Sequence, residues 1–332
     1  MERDSKTMGR LRHPDYVAEW PQPDEQVRGS ANAQDAGLLG RSDYKSTMHT
    51  IRFGERDMAI AEASSITATV TGLWRYPVKS MQGEELNAAE VTERGVVGDR
   101  AYALLDRETG KVASAKNPRK WARLFEFRAA FVESPRAGAP LPPVRITLPD
   151  GTLTTSADAN VNAVLSEAIG RQVTLASTSP DTPALEEYWP DIEGLARRDE
   201  LTDEPMPERT FFDAAVVHVL TTATLDRLRS LYREGRFEVH RFRPNIVLTP
   251  DALQAGFVED SWVGRTLVIG EGRIAVLRPC QRCVMTTLPQ GDLPRDGGIL
   301  RTAAKFHEVN VGVYCAVQRG GTIRRSDAVR IE

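Results

Sequence analysis

Cysteine is scarce in this chain, with three among 332 residues. Three cysteines cannot build the disulfide framework of a small secreted domain, which indicates a reducing compartment. A strong charge of one sign is also missing, because 43 Lys and Arg residues face 46 Asp and Glu residues, for a formal net charge of −3. Nucleic-acid-binding proteins usually carry a clear basic excess, so this balance argues against a nucleic-acid partner.

Long apolar runs are missing as well. The segment AAVVHVL is among the longest, and a membrane-spanning helix needs ~18 such residues or more. The opening MERDSKTMGRLRHPDYVAEW lacks the apolar stretch of a secretory signal peptide. From these features we predict a soluble, cytoplasmic protein that has no membrane partner.

The composition changes near residue 65. Residues 1–64 are rich in charged and polar types without a helical or strand period, which predicts a flexible leader. The segment ITATVTGLW that follows alternates apolar and polar residues. This alternation predicts a strand with Ile66, Ala68, Val70 and Trp74 on one face.

Segments typical of strands dominate the rest of the chain. Turn residues at 108–110, 149–151 and 270–272 separate pairs of such segments. Two helices are predicted, one from about residue 160 to Gly170 and one from about residue 221 to Gly235. Many short strands with few helices favour a mainly β fold built from barrel-like sheets.

Two of the three cysteines lie in RPCQRCVMTTLPQ, as Cys280 and Cys283. A structural zinc site needs about four Cys or His ligands, and the five histidines show no matching spacing. A thioredoxin-like pair normally begins a helix, whereas VMTTLPQGDLP is rich in β-branched and helix-breaking residues. Both interpretations are therefore weak, and an inert buried Cys283 stays open.

The residues next to Cys283 favour a functional interpretation. Arg282 precedes it directly, and a neighbouring guanidinium favours the thiolate that binds metals or attacks electrophiles. Thr286 and Thr287 add hydroxyl groups a few residues later. Together they indicate a turn suited to a metal or an anionic ligand, although ordinary strand positions for both threonines stay open.

Basic residues follow predicted strand ends elsewhere. In YPVKS, Lys79 and Ser80 come after Pro77, and an ammonium beside a hydroxyl suits a phosphate or another polyanion. In GVVGDR, Arg100 ends a glycine turn. The alternative for this last segment is that Asp99 simply neutralises Arg100.

A third basic segment is RFRPNIVL, in which Arg243 precedes a predicted strand and Asn245 begins it. A guanidinium at the mouth of a strand offers a planar fork to a carboxylate, a phosphate or a pterin edge. The alternative for Arg243 is a structural ion pair with Glu238. For the basic residues of AKNPRKW, which include Lys116, a solvated loop is the favoured interpretation.

The order of YPVKS, GDR, RFRPNIVL, CQRCVMTT, GVYCAV and GTIRRSDAV resembles the MOSC family. This family is named after the C-terminal domain of molybdenum cofactor sulfurase, and the motifs are most similar to bacterial MOSC proteins and amidoxime-reducing components. The resemblance covers residues 66 to 332. It implies a MOSC N-terminal β-barrel domain over 65–185 and a MOSC β-barrel domain over 210–332. The proline-rich, acidic stretch at 186–209 is predicted to be a linker or a surface loop.

The resemblance also implies roles for single residues. Cys283 would ligate molybdenum through its thiolate and would be the catalytic position, whereas Cys280 is not counted as a ligand. One thiolate can fix the metal while nearby cations offset the negative charge of the cofactor. The cofactor-binding residues implied in this way are Lys79, Ser80, Arg100, Arg243, Asn245, Arg282, Thr286, Thr287 and Tyr314.

By the same resemblance the protein is a molybdopterin-dependent oxidoreductase that reduces N-hydroxylated or N-oxide compounds. An iron–sulfur cluster is not expected, because the chain has too few cysteines for a four-cysteine site beside Cys283. A pyridoxal-phosphate desulfurase domain is not expected either. Electrons would come from a separate donor, such as a ferredoxin, a flavodoxin or a flavin reductase.

Two alternatives stay open at this point. The first is a sulfur carrier that holds a persulfide on Cys283, because a reactive thiol serves both roles. The second is a cofactor carrier without turnover. The segment LPQGDLPRD also departs from the Val-Asp-Pro that many family members carry after the paired threonines, which leaves the substrate range open.

Overall fold

Strands dominate the computed structural model, which describes residues 66–251 and 254–332. The predicted leader at 1–64 lies outside the described residues. The strands are β1 (Ile66–Arg75), β2 (Glu84–Leu86), β3 (Ala88–Thr92), β4 (Gly95–Val96), β5 (Ala103–Asp106), β6 (Arg128–Phe131), β7 (Val144–Thr147), β8 (Leu153–Thr155), β9 (Val173–Ala176), β10 (Ala184–Trp189), β11 (Glu200–Pro205), β12 (Val217–Thr221), β13 (Ile246–Pro250), β14 (Thr266–Ile269), β15 (Gly272–Gln281), β16 (Asn310–Arg319), β17 (Gly321–Arg324) and β18 (Ala328–Ile331).

The helices are fewer and mostly short, so the prediction of a mainly β fold is confirmed. They are α1 (Pro118–Trp121), α2 (Val161–Ile169), α3 (Thr222–Leu231), α4 (Val239–Phe242) and α5 (Gly298–His307). Three 3₁₀ segments cover Ala122–Glu126, Val258–Trp262 and Val284–Thr287.

Seven strands close into a barrel in the order β13, β12, β16, β15, β14, β18 and β1. Strand β1 closes it by pairing with β18 on one side and with β13 on the other. The pair β12–β13 is parallel, and the other pairs are antiparallel. The barrel therefore combines a strand from the N-terminal part of the described chain with six strands from its C-terminal part.

Strand β1 forms as its alternating sequence predicts, with Ala68 and Val70 buried in the barrel core. The prediction that Trp74 shares their face was wrong. The register with β13 shifts between Val70 and Gly72, and beyond this irregularity Leu73 is the fully buried residue. A bulge moves the later side chains to the opposite face, which explains the difference.

The two predicted helices are present. Helix α2 ends at Gly170, whose φ of 78° is the left-handed conformation that favours glycine after a helix. Helix α3 begins after Thr221, whose hydroxyl accepts a hydrogen bond from Thr224 N at 3.1 Å. It ends at Leu231, before the predicted stop at Gly235. Helix α5 was not predicted from the sequence.

The stretch predicted as a linker or surface loop contains a β-hairpin instead. Strands β10 and β11 pair antiparallel from Ala184↔Pro205 to Trp189↔Glu200. Leu185 is buried with Phe211 in a small core of its own, which attaches the hairpin to the body of the protein. The proposed boundaries of the two domains remain a prediction.

A second core lies beside the barrel, between helix α2, the three-stranded sheet β6–β7–β8 and strand β5. Several of the predicted site residues lie next to strands of the barrel. Lys79 and Ser80 follow β1, Arg243 precedes β13, and Cys283 follows β15. Within the described residues, no helix is long and apolar enough to cross a membrane.

Candidate cofactor site

Three of the predicted site residues adopt a left-handed backbone conformation that non-glycine residues rarely take. The φ angles are 63° for Ser80, 47° for Arg100 and 52° for Arg243, and five further non-glycine residues with positive φ occur elsewhere in the described chain. Such conformations cost free energy and concentrate at functional sites. The clustering of strained backbone on predicted site residues supports a functional site here.

The aromatic ring of Tyr76 forms a platform for two of the arginines. The guanidinium of Arg243 lies 4.1 Å from the ring centroid, and that of Arg100 lies 4.9 Å from it. Burial, and then the charge of Arg100, lowers the pKa of Arg243 to about 10. Two cations held this close in a largely buried place are stabilised when an anion binds between them.

The carboxylate of Asp99 organises this platform. It forms an ion pair with Arg100 and accepts hydrogen bonds from Asn245 Nδ2 at 2.9 Å and from Tyr76 N at 2.7 Å. The neutralisation of Arg100 by Asp99, one of the two interpretations of the sequence, is therefore present. Asn245 Oδ1 also accepts from His218 N at 3.1 Å, so both ends of this amide are used within the protein.

Lys79 is 5% exposed and begins a chain of alternating charges. Its Nζ donates to Asp213 Oδ1 at 2.5 Å and to Phe211 O at 2.8 Å. Asp213 Oδ2 lies 3.9 Å from Lys116 Nζ, which in turn lies 2.8 Å from Glu187 Oε2. The prediction of a solvated loop for Lys116 was wrong, because its side chain is 15% exposed and bound by two carboxylates.

Ala115 and Phe125 join the N-terminal cations to Cys283. Ser80 Oγ accepts a hydrogen bond from Ala115 N at 3.1 Å. The guanidinium of Arg243 lies 5.6 Å from the ring centroid of Phe125. Phe125, Ala115 and the half-buried Cys283 pack in one cluster. The structure thus brings Ser80, Arg243 and Cys283 together, although they are far apart in the sequence.

The thiol of Cys283 is protonated at neutral pH in this environment. Burial and the carboxylate of Glu187 raise its pKa to about 11, against the opposing charges of Lys116 and Arg282. A metal ion binds the thiolate form and displaces the proton. Cys283 is therefore suited to metal ligation accompanied by proton release.

Arg282 is bound mainly to the other cysteine of the motif. Its Nη1 donates to Cys280 Sγ at 2.7 Å, and its Nη2 donates to Phe242 O at 2.8 Å. The sequence predicted that this guanidinium favours the thiolate of Cys283, but its main effect is on Cys280. Although burial opposes ionisation of Cys280, Arg282 and then His218 lower its pKa to about 6. Alternation along the extended chain explains this, because residues two apart point to the same side.

The remaining predicted residues line the turn after β15 and the adjacent strand β16. The hydroxyls of Thr286 and Thr287 donate to Cys283 O at 3.0 Å and to Val284 O at 2.7 Å, so they stabilise the 3₁₀ segment. Tyr314 lies on β16, and the guanidinium of Arg278 is 4.8 Å from its ring centroid.

These residues fit an anionic group that carries a metal. Two cations, Lys116 and Arg282, act on one half-buried thiol, and Arg282 Nε is buried without a hydrogen-bond partner among the described residues. In the same part of the chain, no group of three or more His, Cys, Asp or Glu side chains is arranged to hold a metal ion. The cationic residues of this region are Lys79, Arg100, Lys116, Arg243 and Arg282, of which the first three pair with Asp213, Asp99 and Glu187.

Sequence reasoning missed several residues of this site. Asp213 binds Lys79 from 134 residues away, and Glu187 lies in the stretch that was predicted to be a linker or loop. No local pattern indicates either contact. One signal could have predicted the contact between Cys280 and Arg282. The two residues are two positions apart, and in an extended segment such residues point to the same side.

Comparison with known proteins supports the resemblance seen in the sequence. The model of the MOSC domain matches residues 207–330, and the model of the MOSC N-terminal beta barrel domain matches residues 67–139. Together the two segments make up more than half of the chain.

Individual relatives are distant. Human "Mitochondrial amidoxime-reducing component 1" is 25% identical over 294 residues, which cover 79% of this chain and 82% of the relative. "Molybdenum cofactor sulfurase" from Oryza sativa subsp. japonica is 26% identical over 260 residues, covering 70% of this chain and 30% of the relative. The crystal structure of YUAD protein from Bacillus subtilis aligns with a TM-score of 0.40 at 10% identity, over 80% of this chain and 96% of that one. With a MOSC N-terminal beta barrel domain followed by a MOSC domain, the chain belongs to the MOSC family.

Proposed function

We propose that this protein is an oxidoreductase that binds a molybdopterin cofactor through Cys283. The observation that carries the proposal is the geometry around this cysteine. Two cations from distant parts of the chain, Lys116 and Arg282, act on one half-buried thiol, and Arg282 keeps a buried Nε unpaired within the described residues. One relative is named molybdenum cofactor sulfurase, and this name agrees with the proposed cofactor.

The residues of this chain have distinct roles in the proposal. The thiol of Cys283 loses its proton and ligates the metal, while Arg100 and Arg243, fixed over Tyr76, bind the anionic part of the cofactor. Lys79 and Ser80 complete that anion-binding region, and Tyr314 borders it from β16. When bound, the cofactor supplies two-electron oxygen-atom chemistry at the metal.

The substrates that we propose are N-hydroxylated or N-oxide compounds. The names of several relatives describe the reduction of amidoximes, and we extend that class to this chain. Electrons would come from a separate protein, such as a ferredoxin, a flavodoxin or a flavin reductase. A cytoplasmic location is part of the same proposal.

The pKa of Cys283 favours a metal ligand over the alternative sulfur carrier. Transfer of a persulfide needs a thiolate as nucleophile, whereas burial and Glu187 raise the pKa of this thiol to about 11. A metal ion, by contrast, removes the proton when it binds. A mass increase of one sulfur atom on Cys283 would instead support the carrier.

The test is metal and pterin analysis of protein purified without oxygen from a host that makes the cofactor. We expect about one molybdenum per chain in the wild type, because one thiolate ligates one metal. Cys283→Ala should lose it. Cys315→Ala is the matched control, because Cys315 is buried in the barrel core and should leave the metal content unchanged. A metal-free wild type would contradict the proposal.

Activity is measured next with the loaded protein. A chemically reduced dye replaces the unknown donor, and N-hydroxylated compounds are compared with N-oxides. Turnover in the wild type and in Cys315→Ala, but not in Cys283→Ala, is the expected pattern. Loaded protein that turns over neither class would support the carrier without catalysis.

A further inference from the structure

Cys280 is a buried, ionisable thiol that the proposed function does not use. It is fully buried near the end of β15, with its sulfur 2.7 Å from Arg282 Nη1. His218 and Tyr314, which pair across β12 and β16, also act on this thiol and lower its pKa. The sulfur therefore lies inside a set of polar side chains rather than in an apolar core.

The contacts of Arg282 show what this arrangement achieves. The backbone oxygen of Phe242 binds Nη2 at 2.8 Å, and Cys280 binds Nη1. Two of the three guanidinium nitrogens are thus held by the protein, and Nε is the one left without a partner among the described residues. A planar guanidinium fixed at two corners has its third N–H in a set direction.

We propose that Cys280 is a positioning residue, whose sulfur fixes Arg282 beside Cys283 with an unpaired Nε–H for the anionic part of the cofactor. The inference rests on the proposed function for its ligand. It also explains why a C-x-x-C motif occurs where one metal ligand is sufficient. The first cysteine orients the arginine, and the second ligates the metal.

The charges of the pair agree with this role. Burial alone would keep Cys280 neutral, but Arg282 and His218 outweigh it and bring its pKa to about 6. Burial alone would lower the pKa of Arg282. The negative charge of Cys280 outweighs the burial and raises this pKa instead. A thiolate and a guanidinium form a charge-assisted hydrogen bond, which is stronger and better directed than one to a neutral thiol.

Cys315 shows that burial in the same barrel does not create such a thiolate. Its sulfur contacts Val313 O at 3.8 Å, and burial raises its pKa. It therefore supplies a matched control on the neighbouring strand, with the same residue type and burial but without an arginine contact.

The first experiment measures the thiolate itself in cofactor-free full-length protein, by its ultraviolet absorbance as a function of pH. The wild type and Cys315→Ala should show one thiolate that forms with a midpoint near the pKa of about 6. Cys280→Ala should lose this signal. An unchanged signal in Cys280→Ala would overturn the ion pair, whether or not the protein binds molybdenum.

The second experiment is a double-mutant cycle on cofactor retention, measured as molybdenum left after dialysis of loaded protein. Cys280→Ala and Arg282→Ala should each lose the cofactor about ten- to a hundredfold faster, as expected for residues that orient a metal site. If Cys280 acts through Arg282, the double variant should be no worse than Arg282→Ala alone.

Each outcome of the cycle decides a separate point. Additive losses would mean that Cys280 supports the fold in general, and would overturn its positioning role. Retention in Cys280→Ala equal to that in Cys315→Ala would overturn it as well. A wild type without molybdenum would overturn the proposed function and the cofactor part of this inference, while the absorbance titration would still decide whether the Cys280–Arg282 pair exists.

Discussion

At the scale of residues, the protonation of Cys283 depends on two side chains of opposite charge. Glu187 is 5% exposed and raises the pKa of Cys283, whereas Lys116 lowers it. The two also bind each other, with Nζ and Oε2 2.8 Å apart. Removing one charge therefore changes the balance at the sulfur in a direction that can be predicted.

We predict that Glu187→Gln makes Cys283 more acidic. The wild-type pKa is about 11, with burial as the largest cause and Glu187 as the next. Each unit by which the pKa falls gives about ten times more thiolate at a fixed alkaline pH. The measurement is the rate of alkylation of Cys283 in cofactor-free protein, followed by mass spectrometry across a pH series.

The control for this variant is Glu186→Gln on the adjacent position. Glu186 binds Asn117 and Lys120 at 2.7 and 2.9 Å, and it is absent from the principal influences on Cys283. Its removal should leave the alkylation profile in place. Equal profiles for the two variants would show that Glu187 has no specific effect on the sulfur.

The site residues differ in how far sequence alone could predict them. Lys79, Arg243 and Cys283 lie in short motifs at strand ends, and the structure brings all three into one region. Asp213 contacts Lys79 across 134 residues, a pairing that only the folded chain determines. From the sequence, Arg282 was expected to act on its neighbour Cys283. Strand alternation instead directs its side chain towards Cys280.

At the scale of elements, His307 links the end of helix α5 to the 3₁₀ segment Val258–Trp262. Its Nε2 lies 2.5 Å from Asp260 Oδ2, and its Nδ1 lies 2.8 Å from Asn310 O. Its ring stacks on Phe257 with the centroids 3.6 Å apart. Burial opposes the charged imidazole, but Asp260 outweighs this and raises the pKa of His307.

We predict that this link stabilises the fold more strongly at mildly acidic pH. Because the folded-state pKa of His307 is raised, its stabilisation is fully present below the unfolded value, and is lost as the pH rises through the folded value. The unfolded value is about 6.5. In urea unfolding, the deficit of His307→Gln relative to the wild type should therefore be larger at about pH 6 than at about pH 8.

His240 supplies a control of opposite sign. Burial lowers its pKa, so the folded state resists protonation there and loses stability as the pH falls. At the lower pH, His240→Gln should therefore gain free energy of unfolding relative to the wild type. A His307→Gln deficit that is constant across the range would show that the imidazole acts through packing on Phe257 alone.

The hairpin shows why sequence reasoning failed for one element. The segment ALEEYW does alternate, with Leu185 and Glu187 as the inward residues. From the sequence alone, Glu187 is expected to be an exposed polar residue, because its partner Lys116 lies in a distant segment. The prolines and acidic residues of 186–209 then indicated a loop. The inward positions of this strand are not all apolar, so the pattern that predicted the other strands was missing.

At the scale of the whole molecule, the predicted β-barrel architecture is confirmed, whereas the strand that closes the barrel could not be predicted. The alternation in β1 predicts a strand but does not identify its partners. In the structure β1 pairs with β13 from Ala68↔Pro250 to Leu73↔Ile246, and with β18 on its other side. The segment matched by the N-terminal domain model therefore supplies a wall of the barrel formed otherwise by the MOSC domain.

This connection predicts that residues 207–332 do not fold alone. Without β1, strands β13 and β18 become open edges, and the barrel core loses the buried side chains of Val70 and Leu73. We expect the isolated fragment to aggregate or to unfold without a cooperative transition. Co-expression with residues 54–206 should restore a soluble complex that unfolds cooperatively, as measured by size-exclusion chromatography and circular dichroism. A monomeric 207–332 fragment with a sharp unfolding transition would instead mean that β1 is dispensable for the barrel. Lys79 and Arg100 would then be added to a MOSC domain that folds without them.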